Sequence, residues 1–399
     1  MIRGGQVVKN WLRAYENRLA GGELGAVPVV LGLLAIWIIF QSLNANFLSA
    51  RNLSNLSVDI VGTGLIAVGI VFVLLIGELD LSVGSVSGLA AALFAVLNVQ
   101  QGVPEWLALV MAVLCGTAVG IVQGFFFARV GVPAFVVTLA GLLAWNGLML
   151  YILGTSGTVN LDDEGLVATL TSHYFGNVAA AYGLAALGAA VYFLTSHVDR
   201  RRRRAVGMPS RSLVEIGVRT GVLTVVAFAA AWVLNQFQGL PLALLIFLTV
   251  LASLEFVLRR TSYGRKVFAL GGGIEAARRA GINIVRMRIS VFMVSGTMAA
   301  VGGLMLASRV TSASQTSGSG ILLMNAIAAA VIGGTSLFGG HGSTWSALLG
   351  MLVIQSIASG MALLGIQAAV QFMITGGVLL AAVVIDSLSR RSQKAHGRA

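Results

Sequence analysis

The sequence predicts an all-α fold, a polytopic membrane bundle of about ten to twelve transmembrane helices with cytoplasmic N- and C-termini, and three observations predict it. Of 399 residues, 57% are hydrophobic and only 10% charged, whereas soluble chains carry roughly a quarter charged residues. Apolar runs of spanning length recur along nearly the whole chain, and the basic residues between them fall on one side when the runs are threaded alternately through a bilayer.

In chain order, residues 1–25 carry Arg3, Lys9, Arg13 and Arg18, with Val7, Val8, Trp11, Leu12, Tyr15 and Leu19 on one helical face. That pattern predicts an amphipathic cytosolic leader on the inner leaflet. The apolar run 26–43 has no small-residue cleavage pattern after it, so it is expected to remain as a first span. Further spans are predicted near 60–76, 82–97, 106–128, 133–153, 178–195, 217–236, 240–258, 289–308, 321–338, 344–363 and 368–387. Segments 82–97 and 321–338 are short and rich in Gly and Ser, which suits broken or re-entrant helices. A basic cytosolic tail, 388–399, follows the membrane domain of 26–387.

With the N-terminus inside, all 26 Lys and Arg except Arg51 and Arg309 fall on the inner side. The net charge of +12 is then explained by cytosolic loops, the Arg200 to Arg204 run and the 259–288 loop, facing anionic lipid. Nucleic acid is not an expected partner, since no soluble reading domain accompanies that charge. The single Cys115 excludes an intrachain disulfide, a zinc cluster and a redox pair.

Three stretches carry chemistry. Residues 77–85 place Glu78 and Asp80 at the junction of two apolar runs, followed by Ser82, Gly84 and Ser85. A carboxylate at that depth needs a partner; Asp80 or Ser82 is expected to cap the helix starting near residue 83, and Glu78 to reach headgroup water, with a part in gating compatible with both. Residues 325–343 pack Gly333, Gly334, Gly339, Gly340 and Gly342 behind an apolar helix, which allows a sharply turned backbone lining a cavity. Both stretches run Ile-Gly into Gly-Ser, a weak sign of the internal repeats that transporters use. His341 there stands without a companion ligand and is expected to serve a loop hydrogen bond, with no metal.

The third stretch, 264–283, ends in a short helix with acidic Glu275 at its start, Arg278 and Arg279 at its end, and Gly281 to stop it. A rigid helix between two spans is a handle for a soluble motor. Here the residues resemble a known family: Glu275, Ala276, Ala277 and Gly281 are similar to the coupling motif of ATP-binding-cassette importer permeases. Gly264 to Asn283, Gly272 included, resembles the ribose and xylose branch, as do 80–85, 132–139 and 326–340 in the same order. The resemblance covers residues 55–390. The branch has an Arg-Gly pair where this chain reads Ala144, Trp145, Asn146 and Gly147, and the basic 197–216 insert is more similar to the xylose permeases than to the shorter ribose ones.

That resemblance implies a transport subunit, not an enzyme: a homodimer in the bacterial inner membrane, served by an extracytoplasmic sugar-binding protein and separate ATPase subunits. The chain has no Gly-x-x-x-x-Gly-Lys-[Ser/Thr] cradle, so ATP and Mg are expected on the partner ATPase and no cofactor on this chain. A neutral sugar is best met by amides and rings, which makes Gln123, Trp145, Asn146, Asn325, Gln355 and Gln371 the candidate substrate path, although each also suits an interhelical hydrogen bond. The acidic loop of Asp162, Asp163 and Glu164 suits docking of the binding protein and equally suits a plain solvated loop. Two other classes compete. A lipid-phosphate enzyme would need a metal on that acidic loop, and an ion-coupled secondary transporter would need ionisable residues in mid-span, where only Asp59, Glu78, Asp80 and Glu255 come near. Within the importer class, ribose, galactose, nucleoside and branched-chain amino acid remain alternative cargoes.

Overall fold

A run of apolar helices must satisfy every backbone group internally if lipid surrounds it, and helices are what these runs form. The computed structural model describes residues 27–318 and 320–395; the expected leader helix of 1–25 and residues 396–399 of the tail lie outside the described residues. The helices are α1 (Val27–Leu43), α2 (Ala50–Leu75), α3 (Val83–Ala95), α4 (Glu105–Phe125), α5 (Ala134–Leu153), α6 (Leu166–Ser172), α7 (Val178–Ala205), α8 (Leu213–Asn235), α9 (Leu242–Arg260), α10 (Ser262–Gly272), α11 (Ile274–Arg279), α12 (Ile284–Val310), α13 (Gly320–Ile332), α14 (Trp345–Leu363) and α15 (Ala368–Ala395). Single π turns, Val96–Gln100 and Phe126–Val130, extend α3 and α4. Among the described residues nine helices are long and apolar enough to cross a membrane, and α1, α13 and the Ala368–Ala381 part of α15 are shorter apolar helices.

Every predicted span meets one of these helices. Several boundaries differ from the sequence reading; the helix of the sixth span, for one, runs on to Ala205 where 195 was expected. The second span begins at Ala50, ten residues earlier than expected, because Ser49 caps the helix by accepting from Asn52 N. The tenth ends at Ile332, not 338, because Gly334 takes a left-handed conformation (φ 104°) and the chain leaves the helix there.

α2 is the axis of the bundle, buried on every side from Ile60 to Ile76. α12 packs on α2, α3 and α4. Its seam with α4 is built from Gly116, Gly120 and Gly124, one per turn, on Gly296, Phe292 and Ile289; a Cβ on Gly120 would collide with the Phe292 carbonyl. Small residues at four-residue spacing are what lets two helix backbones approach this closely without side-chain entropy loss. α7 and α8 form a hairpin with its own small core of Ala181, Ala185, Ala231, Leu234 and Leu240.

Strand pairs and ion pairs between loops join segments that the alternating threading puts on the same side. At one end β1 (Thr158–Asn160) pairs antiparallel with β4 (Ser312–Ser314), β2 (Tyr174–Phe175) with β3 (Leu240–Pro241), and Arg309 Nε donates to Asp59 Oδ1 at 2.8 Å. At the other, basic end, the Arg260 guanidinium grips both oxygens of Asp199.

Candidate functional site

At the basic end the three chemistry-bearing stretches converge on one point. α2 ends at Leu75 because Gly77 turns left-handed (φ 77°), which leaves the Leu75 carbonyl without a helical partner. Gly340 N, from the glycine loop after α13, donates to that carbonyl at 3.0 Å. Gly339 and Gly340 both hold positive φ, 85° and 75°, and this shapes the loop to reach it. Gly271, near the end of α10, closes the joint: a Cβ there would collide with the Leu75 oxygen and stand 2.6 Å from Gly340 N.

A second clamp holds the same loop. Thr344 N and Oγ1 donate to Glu255 Oε2 at 2.9 and 3.1 Å, and Arg259 Nε donates to Glu255 Oε1 at 3.0 Å. Arg259 Nη2 also donates to the Gly342 carbonyl at 2.7 Å, and its guanidinium lies 4.9 Å from the centre of the Phe268 ring on α10. Within the loop, Ser336 N donates to the His341 carbonyl at 2.9 Å, so the hydrogen bond expected of His341 is made by its backbone. Burial pushes the Tyr263 phenol on α10 above its ordinary pKa, and that hydroxyl accepts from Ser290 Oγ of α12 at 3.2 Å.

Beyond the joint, α11 projects as a knob. From Ile274 to Ala280 only Ala277 is buried. Gly281 stops the helix at φ 77°, with its N donating to the Arg278 carbonyl and Ile282 N to the Ala277 carbonyl. Glu275 pairs with Arg278 at 3.0 Å, and Asn283 Oδ1 caps α12 by accepting from Arg286 N. The short helix is Ile274–Arg279, with Gly281 after it, and Gly272 is the last residue of α10.

Asp80 departs from the capping expectation. Its Oδ1 accepts from Ser82 N at 3.0 Å and from Ser82 Oγ at 2.6 Å, and its Oδ2 accepts from Ser295 Oγ of α12 at 2.8 Å. Neither Asp80 nor Ser82 caps the α3 amides with its side chain; the carboxylate is spent on bracing its own turn against α12. Glu78 stands 3.8 Å from Arg288, whose guanidinium lies 4.3 Å from the centre of the Phe127 ring. Gly84, in the first turn of α3, packs with its carbonyl against Gly318, after β4. Gly333 backs onto the Ser346 carbonyl of α14, a close approach that only a hydrogen side chain permits.

Of the substrate-path candidates, Gln123 is buried and 3.0 Å from Ser82 Oγ, and Trp145 is half-buried near the same place. Asn146 is exposed on the outer face of α5. Asn325, Gln355 and Gln371 are half-buried on α13, α14 and α15, which pack on one another, with α13 and α14 also against the axial helix α2. Gly271, Thr344, Arg259 and Ser295 escaped the sequence reading. Only Glu255 with Arg259, a pair at i and i+4 at a span end, left a signal. Asp162 is tied up in its own turn, accepting from Glu164 N, and among the described residues no three acidic, His or Cys side chains group to hold a metal.

Residues 52–383 match the family described as branched-chain amino acid transport system / permease component. The chain is 35% identical over 370 residues to the xylose transport system permease protein of Escherichia coli (strain K12), covering 92% of this chain and 93% of that one. It is 35% identical to the Haemophilus influenzae protein of the same description, over 92% and 97% of the two chains. The ribose import permease protein of Bacillus subtilis (strain 168) is 32% identical over 365 residues, 92% and 94% of the two. No solved structure matches the chain.

Proposed function

We propose, from the premise that this chain belongs to the transport-system permease family that its residues 52–383 match, that it is the membrane-spanning subunit of an ATP-driven importer of xylose or a similar monosaccharide. Relatives that span nine-tenths of the chain are described as xylose and ribose permeases, which favours a pentose. The observation that carries the mechanism is the joint of Leu75, Gly271 and Gly340.

A motor that pushes the exposed α11 knob moves α10 with it, since a single extended residue, Gly273, separates them. Through Gly271, α10 presses on the end of the axial helix α2 and on the glycine loop together. The loops reached, 76–82 and 333–344, each adjoin a short helix: α13 has 13 residues, and α3 has 13 with five more in its π turn. Such short helices can tilt as levers, so a push at the knob shifts the bundle between two packings that open to opposite sides. ATP with Mg belongs to partner ATPase subunits, two copies of this chain enclose the path, and an extracytoplasmic binding protein delivers the sugar on the side of β1 and β4. The Arg200 to Arg204 run and the 259–288 loop lie against anionic headgroups of the inner membrane.

The test is uptake by cells that lack their own pentose importers and express this chain with its ATPase and binding protein. Accumulation of labelled xylose or ribose that stops on ATP depletion and survives collapse of ion gradients is expected. Uptake that follows the ion gradient instead, or accumulation by this chain without its ATPase, would overturn the reading. Calorimetry of the binding protein against a monosaccharide panel then fixes the cargo.

A further inference from the structure

Ser82 Oγ lies within hydrogen-bonding distance of two acceptors, Asp80 Oδ1 at 2.6 Å and Gln123 Oε1 at 3.0 Å, and a hydroxyl has one proton to give. If Asp80 is ionised, Ser82 donates to it and faces the Gln123 oxygen lone pair to lone pair. If Asp80 carries the proton, it donates to Ser82, and Ser82 donates to Gln123. Either way two buried donors, Gln123 Nε2 and Trp145 Nε1, have no partner. Gln123 is only 3% exposed, so water from the surface does not serve it. The two orphans are neighbours: a Cβ on Gly141 would touch Gln123 Nε2 and stand 3.0 Å from Trp145 Nε1. Two N–H groups left unpaired in a buried place cost about 1–3 kcal/mol each.

Exchanging the nitrogen and oxygen of the Gln123 amide resolves every conflict at once, and that exchange is invisible in heavy-atom shape. We propose that Gln123 is turned this way in the native protein, so that it is a positioning residue linking Trp145 on α5 to Asp80 by one directed hydrogen-bond chain. Trp145 Nε1 donates to Gln123 Oε1, Gln123 Nε2 to Ser82 Oγ, Ser82 Oγ to Asp80 Oδ1, and Ser295 Oγ closes the set on Oδ2. The chain crosses from α5 through α4 to the turn between α2 and α3, and α12 fixes its far end. One face of α5 carries exposed Asn146, a polar group that suits a wet path or a second copy better than lipid. On the transport reading above, the chain makes a rotation of α5 felt at the Asp80 turn, five residues from the Leu75 joint.

A double-mutant cycle on the full chain in detergent tests the bond without relying on the transport reading. Trp145→Phe and Gln123→Met should each lower the unfolding midpoint, and Trp145→Phe should add little in the Gln123→Met background. If Trp145→Phe is neutral or stabilising, as removal of an orphan donor would be, or if the two losses add fully, the proposal falls. A second measurement covers variants that fold poorly. In the unmutated chain with labelled tryptophan side chains, the Trp145 indole proton should be downfield and slow to exchange; fast exchange overturns the bond. Loss of sugar-stimulated ATPase in the unmutated complex would instead count against the importer reading and leave the bond intact.

Discussion

Replacing Gly271 by Ala tests the joint most directly, because the neighbouring Gly272 supplies its own control. Gly271 lies within α10, where Ala is the better helix former by about 1 kcal/mol, so local propensity favours the change. Against that, the new methyl collides with the Leu75 carbonyl and stands 2.6 Å from Gly340 N. Forcing such a contact costs about 1–3 kcal/mol, and prising Gly340 N from the Leu75 oxygen forfeits about 1 kcal/mol more. The joint is weakened by about 2 kcal/mol net, which moves an equilibrium between two packings about 30-fold. A Cβ on Gly272 meets no atom within 4 Å, so Gly272→Ala leaves the joint as it is. The assay is sugar transported per ATP hydrolysed by the complex reconstituted in proteoliposomes. Gly271→Ala should hydrolyse ATP with much-reduced uptake, and Gly272→Ala should match the unmutated protein. Equal coupling in both variants, or equal loss in both, would refute the joint as the place where the push is transmitted.

Glu255→Ala leaves the Thr344 amide without its acceptor and strips Arg259 of one of its two, while the Thr344 hydroxyl keeps the Leu251 carbonyl at 3.0 Å and Arg259 keeps the Gly342 carbonyl; a loss of about 1–3 kcal/mol is expected, read as faster proteolysis of the 333–344 loop. Gly281→Ala imposes a side chain at φ 77° and should cost about 1–2 kcal/mol locally. Combined with Glu275→Ala, it should uncouple ATPase activity from uptake while membrane insertion, measured by yield of folded chain in detergent, is unchanged. Arg309→Ala breaks a pair with Asp59 that is roughly one-third exposed on both sides, so thermal stability should fall by less than about 1 kcal/mol.

Much of this was legible in one dimension. Apolar runs and the one-sided placement of Lys and Arg specify spans and threading, because the bilayer acts on each helix separately and local composition answers it. The α11 knob was legible too: its acidic start, basic end and Gly281 are local signals, carried by contiguous residues. The role of Asp80 was not. The sequence offered a helix cap at the nearest amides, and the carboxylate instead turned to Ser295, 215 positions away, because α12 packs against α3 and leaves that hydroxyl facing it.

The amino-acid order alone determined a helical membrane protein, its sidedness pattern and its kinship, since hydropathy, charge and short motifs are properties of contiguous residues. Only the tertiary structure decided that Leu75, Gly271 and Gly340 meet, that Glu255 and Arg259 pin the glycine loop, and that Gln123 lies between Trp145 and Asp80. Those contacts depend on which helix faces which at close backbone approach, and close packing of small residues across long sequence distances sets that, where no local pattern reaches.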